Sequence, residues 1–181
     1  ADFTVREDEK PQTIEAFSQW ARRRNSVRDR LVIIGRDPAA AEGYNRQAGI
    51  RSVGRLVHIL PPTREIFRWY SAADICVLLS WYDPCSRVVL EALWHGVPCI
   101  TTAFNGAAEV IQDGVEGFVI DTPENIGLWA RRIQELHSSA LRRKMSQKAV
   151  LLRDRISMTR HVAELNDLLA EAAERKHSRG A

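Results

Sequence analysis

No apolar run in the 181 residues approaches the roughly 20 needed to cross a bilayer, which leaves a soluble chain as the expectation. Cysteine is scarce. Cys76, Cys85 and Cys99 are odd in number and form no CxxC pair, which argues for a reducing compartment and against a zinc site. Charge is not segregated: 26 Lys and Arg are interspersed with 23 Asp and Glu, so no basic block announces a nucleic-acid surface. No Asp-x-Asp is present to chelate a metal bridged to phosphate. The nearest approach to a G-x-G-x-x-G turn, Gly35-Arg36-Asp37, has a single glycine, which disfavours a nicotinamide-dependent oxidoreductase. There is no internal repeat, no low-complexity segment and no targeting signal. The chain opens at Ala1 without an initiator Met, so a piece of a longer protein is expected. At this length one globular domain spanning 1–181 is expected, with 176–181 as a frayed tail.

What is present is an alternation of short β-branched apolar runs with segments of helical period, the mark of βα units around a parallel sheet. Strands are predicted over 31–35, 56–60, 74–79, 98–102 and 117–120. Asp37-Pro38, Thr63, Ser86 and Thr122-Pro123 mark helix starts, giving helices over 39–49, 63–72, 86–95 and 105–112. From Pro123 onward the pattern is helical to the end, with Met158, Val162, Leu165, Leu168 and Leu169 on one apolar face. The fold class is therefore α/β, a Rossmann-like parallel sheet flanked by helices and followed by C-terminal helices. Cys76 and Cys99 read as small buried residues, and the five tryptophans mostly as packing residues.

In an open parallel sheet, ligands bind beyond the carboxyl ends of the strands. That rule selects the loop after 74–79. Asp83 lies in this loop, Ser86 is placed to cap the next helix, and Glu91 follows Asp83 by eight positions. Two carboxylates thus flank one helix N-terminus, whose backbone N–H groups and dipole suit a diphosphate, while carboxylates accept hydroxyl pairs of a sugar or ribose. Arg87 adds a phosphate counter-charge. The same residues also fit a plainer description: an Asp-Pro turn, an ordinary cap and a solvated helix residue. Cys85 lacks a His and acid arrangement to activate it and reads as a loop thiol. Of the histidines, His58 reads as ending a strand and His95 as capping the C-terminal end of its helix. Trp81 and Tyr82 precede Asp83 in the binding loop.

Several ordered blocks carry a resemblance. Asp83, Val88-Val89-Leu90-Glu91-Ala92, Gly96-Val97-Pro98 and Ile100-Thr101-Thr102 follow one another without a gap. Downstream stand Asn105-Gly106-Ala107-Ala108-Glu109 and Asp113-Gly114-Val115-Glu116-Gly117-Phe118; upstream, Leu31-Val32-Ile33-Ile34-Gly35 and Tyr70-Ser71-Ala72-Ala73-Asp74. Over about 11–170 the chain resembles the C-terminal, donor-binding domain of retaining glycosyltransferases of family 4 (group 1), which have the GT-B fold. The resemblance implies a nucleotide-sugar donor (UDP-, ADP- or GDP-sugar) and a saccharide or lipid-linked acceptor held mainly by an N-terminal domain. It implies no cofactor and no metal requirement, and a cytoplasmic protein, with peripheral attachment to the inner membrane left open. It assigns ribose binding to Glu91, contact with the transferred sugar to Asp83, and diphosphate contact to the amides around Cys85, Ser86 and Arg87. It also places a basic pair after the domain's first strand on the donor phosphates. Here Phe3-Thr4-Val5 would be that strand and Arg6 and Lys10 that pair, one residue closer together than usual. Two departures stand out: Asp83 replaces the more common Glu, and Pro84-Cys85-Ser86 replaces a Gly-Phe-Gly-like loop.

Overall fold

Five short strands alternate with helices in the computed structural model, which describes residues 10–25, 28–35 and 38–179. The strands are β1 Leu31–Ile34, β2 Val57–Leu60, β3 Cys76–Leu78, β4 Cys99–Thr102 and β5 Gly117–Ile120. The helices are α1 Lys10–Arg24, α2 Pro38–Ile50, α3 Ile66–Ala72, α4 Arg87–Trp94, α5 Ile126–Leu136, α6 Ser139–Leu151 and α7 Met158–Arg179. All strand pairs are parallel.

Side chains along the strands divide between two apolar layers with the period of two that a strand imposes. Val77, Ile100, Phe118 and Ile120 join the layer beneath α1 and α5, which also holds Trp20, Trp129 and Leu136. Cys76, Leu78, Cys99 and Val119 join the opposite layer, with Val89, Ala92 and Leu93 of α4. A sheet buried on both faces in this way is what parallel βαβ units produce. Cys99 is fully buried, as the sequence suggests, whereas Cys76 is only half-buried.

The α/β class, parallel strands flanked by helices, is as expected; among the described residues the strands pair as β1-β2 and β3-β4-β5. Residues of both β1 and β3 line a cavity of about 1020 Å³. Several finer expectations need correction. Phe3-Thr4-Val5, read as a strand, lies outside the described residues. No helix is expected ahead of Leu31, yet α1 buries Ile14, Phe17, Trp20 and Ala21 and packs against α2 and α5. The segment 105–112 forms a 3₁₀ turn, Gly106–Val110, and not an α-helix. Helix α3 begins three residues later than expected, because the Thr63 hydroxyl accepts the Glu65 amide (3.1 Å) in a local turn. Helix α5 is capped by Asn125, whose side chain accepts the Leu128 amide, and starts after Thr122-Pro123.

Helix α7 runs Met158–Arg179. Its residues are good helix formers, supported by the Arg175–Glu171 ion pair one turn apart. Its apolar stripe does not pack: Met158, Val162, Leu165, Leu168 and Leu169 are all exposed. Trp69 and Trp94 are exposed as well, while Trp20 and Trp129 are core. His58 lies within β2, not at its end. Among the described residues no helix is long and apolar enough to cross a membrane.

Trp129 is 0% exposed and stands on α5, which packs against α1, α6 and β5. Trp129→Ala is expected to destabilise the fold by about 3–5 kcal/mol, read as a lowered urea midpoint at unchanged slope. Trp94→Ala, at a side chain 41% exposed, is expected to cost less than half as much.

Candidate functional site

The site is built where the loop after β3 meets the loop after β4. Asp83 Oδ1 accepts the Cys85 amide (3.1 Å), closing an Asp-Pro turn. The Asp83 amide donates to the Phe104 carbonyl (3.2 Å), and the Gly106 amide donates to the Asp83 carbonyl (2.8 Å). Buried Asn105 ties the two loops together through one oxygen: its Oδ1 accepts the Ser86 amide (3.3 Å) and the Ala107 amide (3.0 Å). Gly106 is required sterically, since a Cβ there would stand 1.8 Å from the Pro84 carbonyl oxygen.

Ser86 occupies the N-cap position of α4 with an extended backbone, but its hydroxyl makes no capping bond. Against expectation, Ser86 is no side-chain cap; its own amide donates to Asn105, from a different loop. The Cys85 amide is likewise engaged, by Asp83. Of the amides assigned to a diphosphate, those of Cys85 and Ser86 are thus bonded within the loops, and Arg87 opens the first turn of α4, where helical amides have no partner within the helix. At the far end of α4, Gly96 takes a left-handed conformation (φ 75°). Its amide donates to the Leu93 carbonyl and that of Val97 to the Ala92 carbonyl, a Schellman stop. His95 is the C-cap residue, as expected; its Nδ1 lies 2.8 Å from the Glu91 carbonyl oxygen and carries the proton of that bond.

Glu91, one turn into α4, is held at both carboxylate oxygens. Tyr70 donates its hydroxyl to Oε2 (3.2 Å), and Arg87 Nη2 lies 3.1 Å from Oε1. Arg87, assigned to phosphate, is therefore paired with a carboxylate here. Its side chain is 70% exposed against 28% for Glu91. Burial, followed by neighbouring negative charge, raises the Tyr70 phenol well above its ordinary pKa, so the group acts as a donor at any physiological pH. Burial also raises the Cys85 thiol, with Asp83 and Glu109 adding to the effect. A thiol held protonated in this way is a poor nucleophile, in keeping with a loop thiol.

Asp83, Cys85, Ser86 and Arg87 line the cavity between β1 and β3, together with Tyr70 and Tyr82. Trp81 lies against Phe104, ring centroids 5.6 Å apart, while Tyr82 is exposed. Arg6 lies outside the described residues; Lys10 opens α1, and its side chain lies outside them too. Asn105, Gly106 and Tyr70 are not expected at the site from spacing alone. All three stand inside the blocks that carry the resemblance, which was the available signal.

Gly106→Ala forces the Cβ into the Pro84 carbonyl and is expected to destabilise the fold by about 3 kcal/mol or more in chemical denaturation. Gly127→Ala, in α5 with nothing within 4 Å of the added carbon, is expected to be neutral or to gain up to about 1 kcal/mol.

Comparison with known proteins gives this geometry a context. The family described as "Glycosyl transferases group 1" matches residues 6–139. The D-inositol 3-phosphate glycosyltransferase of Streptosporangium roseum is 28% identical over 163 residues, covering 84% of this chain and 37% of that protein. A glycosyltransferase structure from Rickettsia africae superposes with a TM-score of 0.81 at 17% identity, over 94% of this chain and 46% of that one. Anabaena HepE, solved in complex with UDP and glucose, superposes with a TM-score of 0.75 at 20% identity, over 91% of this chain and 44% of that one. The chain spans less than half the length of each of these proteins. With most of its length matched by the family, this chain belongs to the group 1 glycosyl transferases.

Proposed function

We propose that the chain is the donor-binding, C-terminal half of a two-domain, retaining glycosyltransferase of family 4, and that it binds a nucleoside-diphosphate sugar at the N-terminus of α4. The observation that carries this reading is the placement of Asp83 and Glu91 on either side of that terminus, in a loop fixed by Asn105 and Gly106. The chain's similarity to HepE, whose structure holds UDP and glucose, supports it.

In this reading Glu91 accepts the ribose hydroxyls, Asp83 contacts the transferred sugar, and the diphosphate sits against the first-turn amides of α4. A helix N-terminus suits such a group through its free N–H donors and its dipole. Arg87 reaches the phosphates by leaving Glu91. An exposed ion pair of this kind is worth about 0–1 kcal/mol, so the exchange costs little and frees a carboxylate oxygen for ribose. Arg6 and Lys10 supply further positive charge. As the glycosidic bond breaks, negative charge grows on the diphosphate and positive charge on the anomeric carbon. The helix start stabilises the first and the Asp83 carboxylate the second, without a metal ion. The acceptor, a saccharide or a lipid-linked saccharide, is held mainly by the N-terminal half.

The 181 residues alone are expected to bind a nucleoside diphosphate weakly and to transfer no sugar; transfer by this chain alone would contradict the two-domain assignment. Glu91→Ala is expected to weaken nucleoside diphosphate binding by about 1.5–3 kcal/mol with the fold retained, since it removes a charged acceptor. Calorimetric titration checks this, and an unchanged affinity would return Glu91 to the role of a solvated helix residue. In the full-length enzyme, Asp83→Asn is expected to leave that affinity nearly unchanged and to lower kcat sharply, because the charge matters most in the transition state. Steady-state kinetics with the native donor decides it.

A further inference from the structure

We propose that Tyr70 is a positioning residue for the donor nucleotide: its hydroxyl holds the Glu91 carboxylate in the orientation that accepts the ribose hydroxyl pair. This inference rests on Glu91 being the ribose acceptor.

Tyr70 belongs to the last turn of α3, where Phe67 and Trp69 are exposed and Tyr70 is buried. A buried tyrosine hydroxyl needs a partner, and this one reaches 21 residues along the chain to Glu91 Oε2. Because burial keeps the phenol protonated, it donates and the carboxylate accepts. The ring is itself fixed. It lies against His95, centroids 5.4 Å apart, and the His95 ring is anchored by Nδ1 on the Glu91 carbonyl oxygen. Main chain and side chain of Glu91 are thus linked through His95 and Tyr70 in one closed circuit.

The other partner of the carboxylate cannot do this work. Arg87 is mostly exposed, on a long flexible side chain, and is free to turn to a phosphate. A carboxylate has about four lone-pair sites, so one bond from Tyr70 leaves room for both ribose hydroxyls once Arg87 departs. With Tyr70 in place, the glutamate side chain is ordered before the ligand arrives, and binding no longer bears that ordering cost.

The test is a calorimetric titration of the 181-residue chain with UDP, ADP and GDP and with the 2′,3′-dideoxy counterpart of each. Tyr70→Phe keeps the ring and removes the oxygen. Its Kd for the preferred ribonucleotide is expected to rise about fivefold, the worth of one ordinary hydrogen bond, while its Kd for the dideoxy form stays put. In a Glu91→Ala background, Tyr70→Phe is expected to have no further effect. Equal weakening of ribo and dideoxy ligands by Tyr70→Phe would make Tyr70 a packing residue and overturn the proposal, as would no change in either. If Glu91→Ala leaves the ribo preference intact, or no diphosphate binds the unaltered chain, the ribose assignment fails first and takes this proposal with it.

Discussion

The Pro84 carbonyl oxygen rests where the side chain of residue 106 would begin, and the candidate site depends on that contact. Only glycine admits it. With the backbones this close, the Gly106 amide reaches the Asp83 carbonyl and the Asp83 amide reaches Phe104, so two loops that follow different strands become one unit. Asn105, buried between them, then accepts the Ser86 amide and ties the start of α4 to the loop after β4. Both loops leave the carboxyl ends of adjacent parallel strands, β3 and β4, whose register is fixed by Cys76 opposite Cys99 and Leu78 opposite Thr101. The geometry at the mouth of α4 is therefore set by the sheet and passed on through backbone hydrogen bonds.

The two carboxylates draw on this arrangement differently. Glu91 stands on a helix whose other face, Val89, Ala92 and Leu93, is fully buried, so its backbone is as rigid as the core beneath it. Asp83 stands on the loop and uses one oxygen to hold the Cys85 amide. A residue whose backbone and carboxylate are both tied to the turn is well suited to holding a charge at a fixed point. The engaged amides of Cys85 and Ser86 move the free donors onto the first turn of α4 itself, one step deeper than the sequence suggests.

Elements whose signals are local were legible in the sequence. The β-branched runs 31–35 and 98–102, the start of α4 at Ser86 and the carboxylate pair eight positions apart all survive in the structure. Where partners lie far apart in the chain, legibility failed. The acceptor for the Ser86 amide comes from Asn105 across 19 positions, and the support of Glu91 from Tyr70 across 21. Neither is visible to reasoning from spacing. Helix α1 is not expected from the sequence, although Ile14, Phe17 and Trp20 repeat every three residues and are buried. The turn at 106–110 has a helical composition, but Gly106 must serve the Pro84 contact and the segment tightens into 3₁₀ geometry. In α7 the period was correct and burial did not follow, since an amphipathic pattern predicts a face and not a partner.

The central claim is that a nucleoside diphosphate seats on the loop pair at the start of α4. Amide chemical-shift mapping of the 181-residue chain, titrated in turn with UDP, ADP and GDP, tests it most directly. The account predicts that saturating shifts concentrate at Asp83, Cys85 to Glu91 and Phe104 to Ala107, with the largest among the first-turn amides of α4. Shifts confined to another part of the chain, or none with any of the three nucleotides, would contradict it.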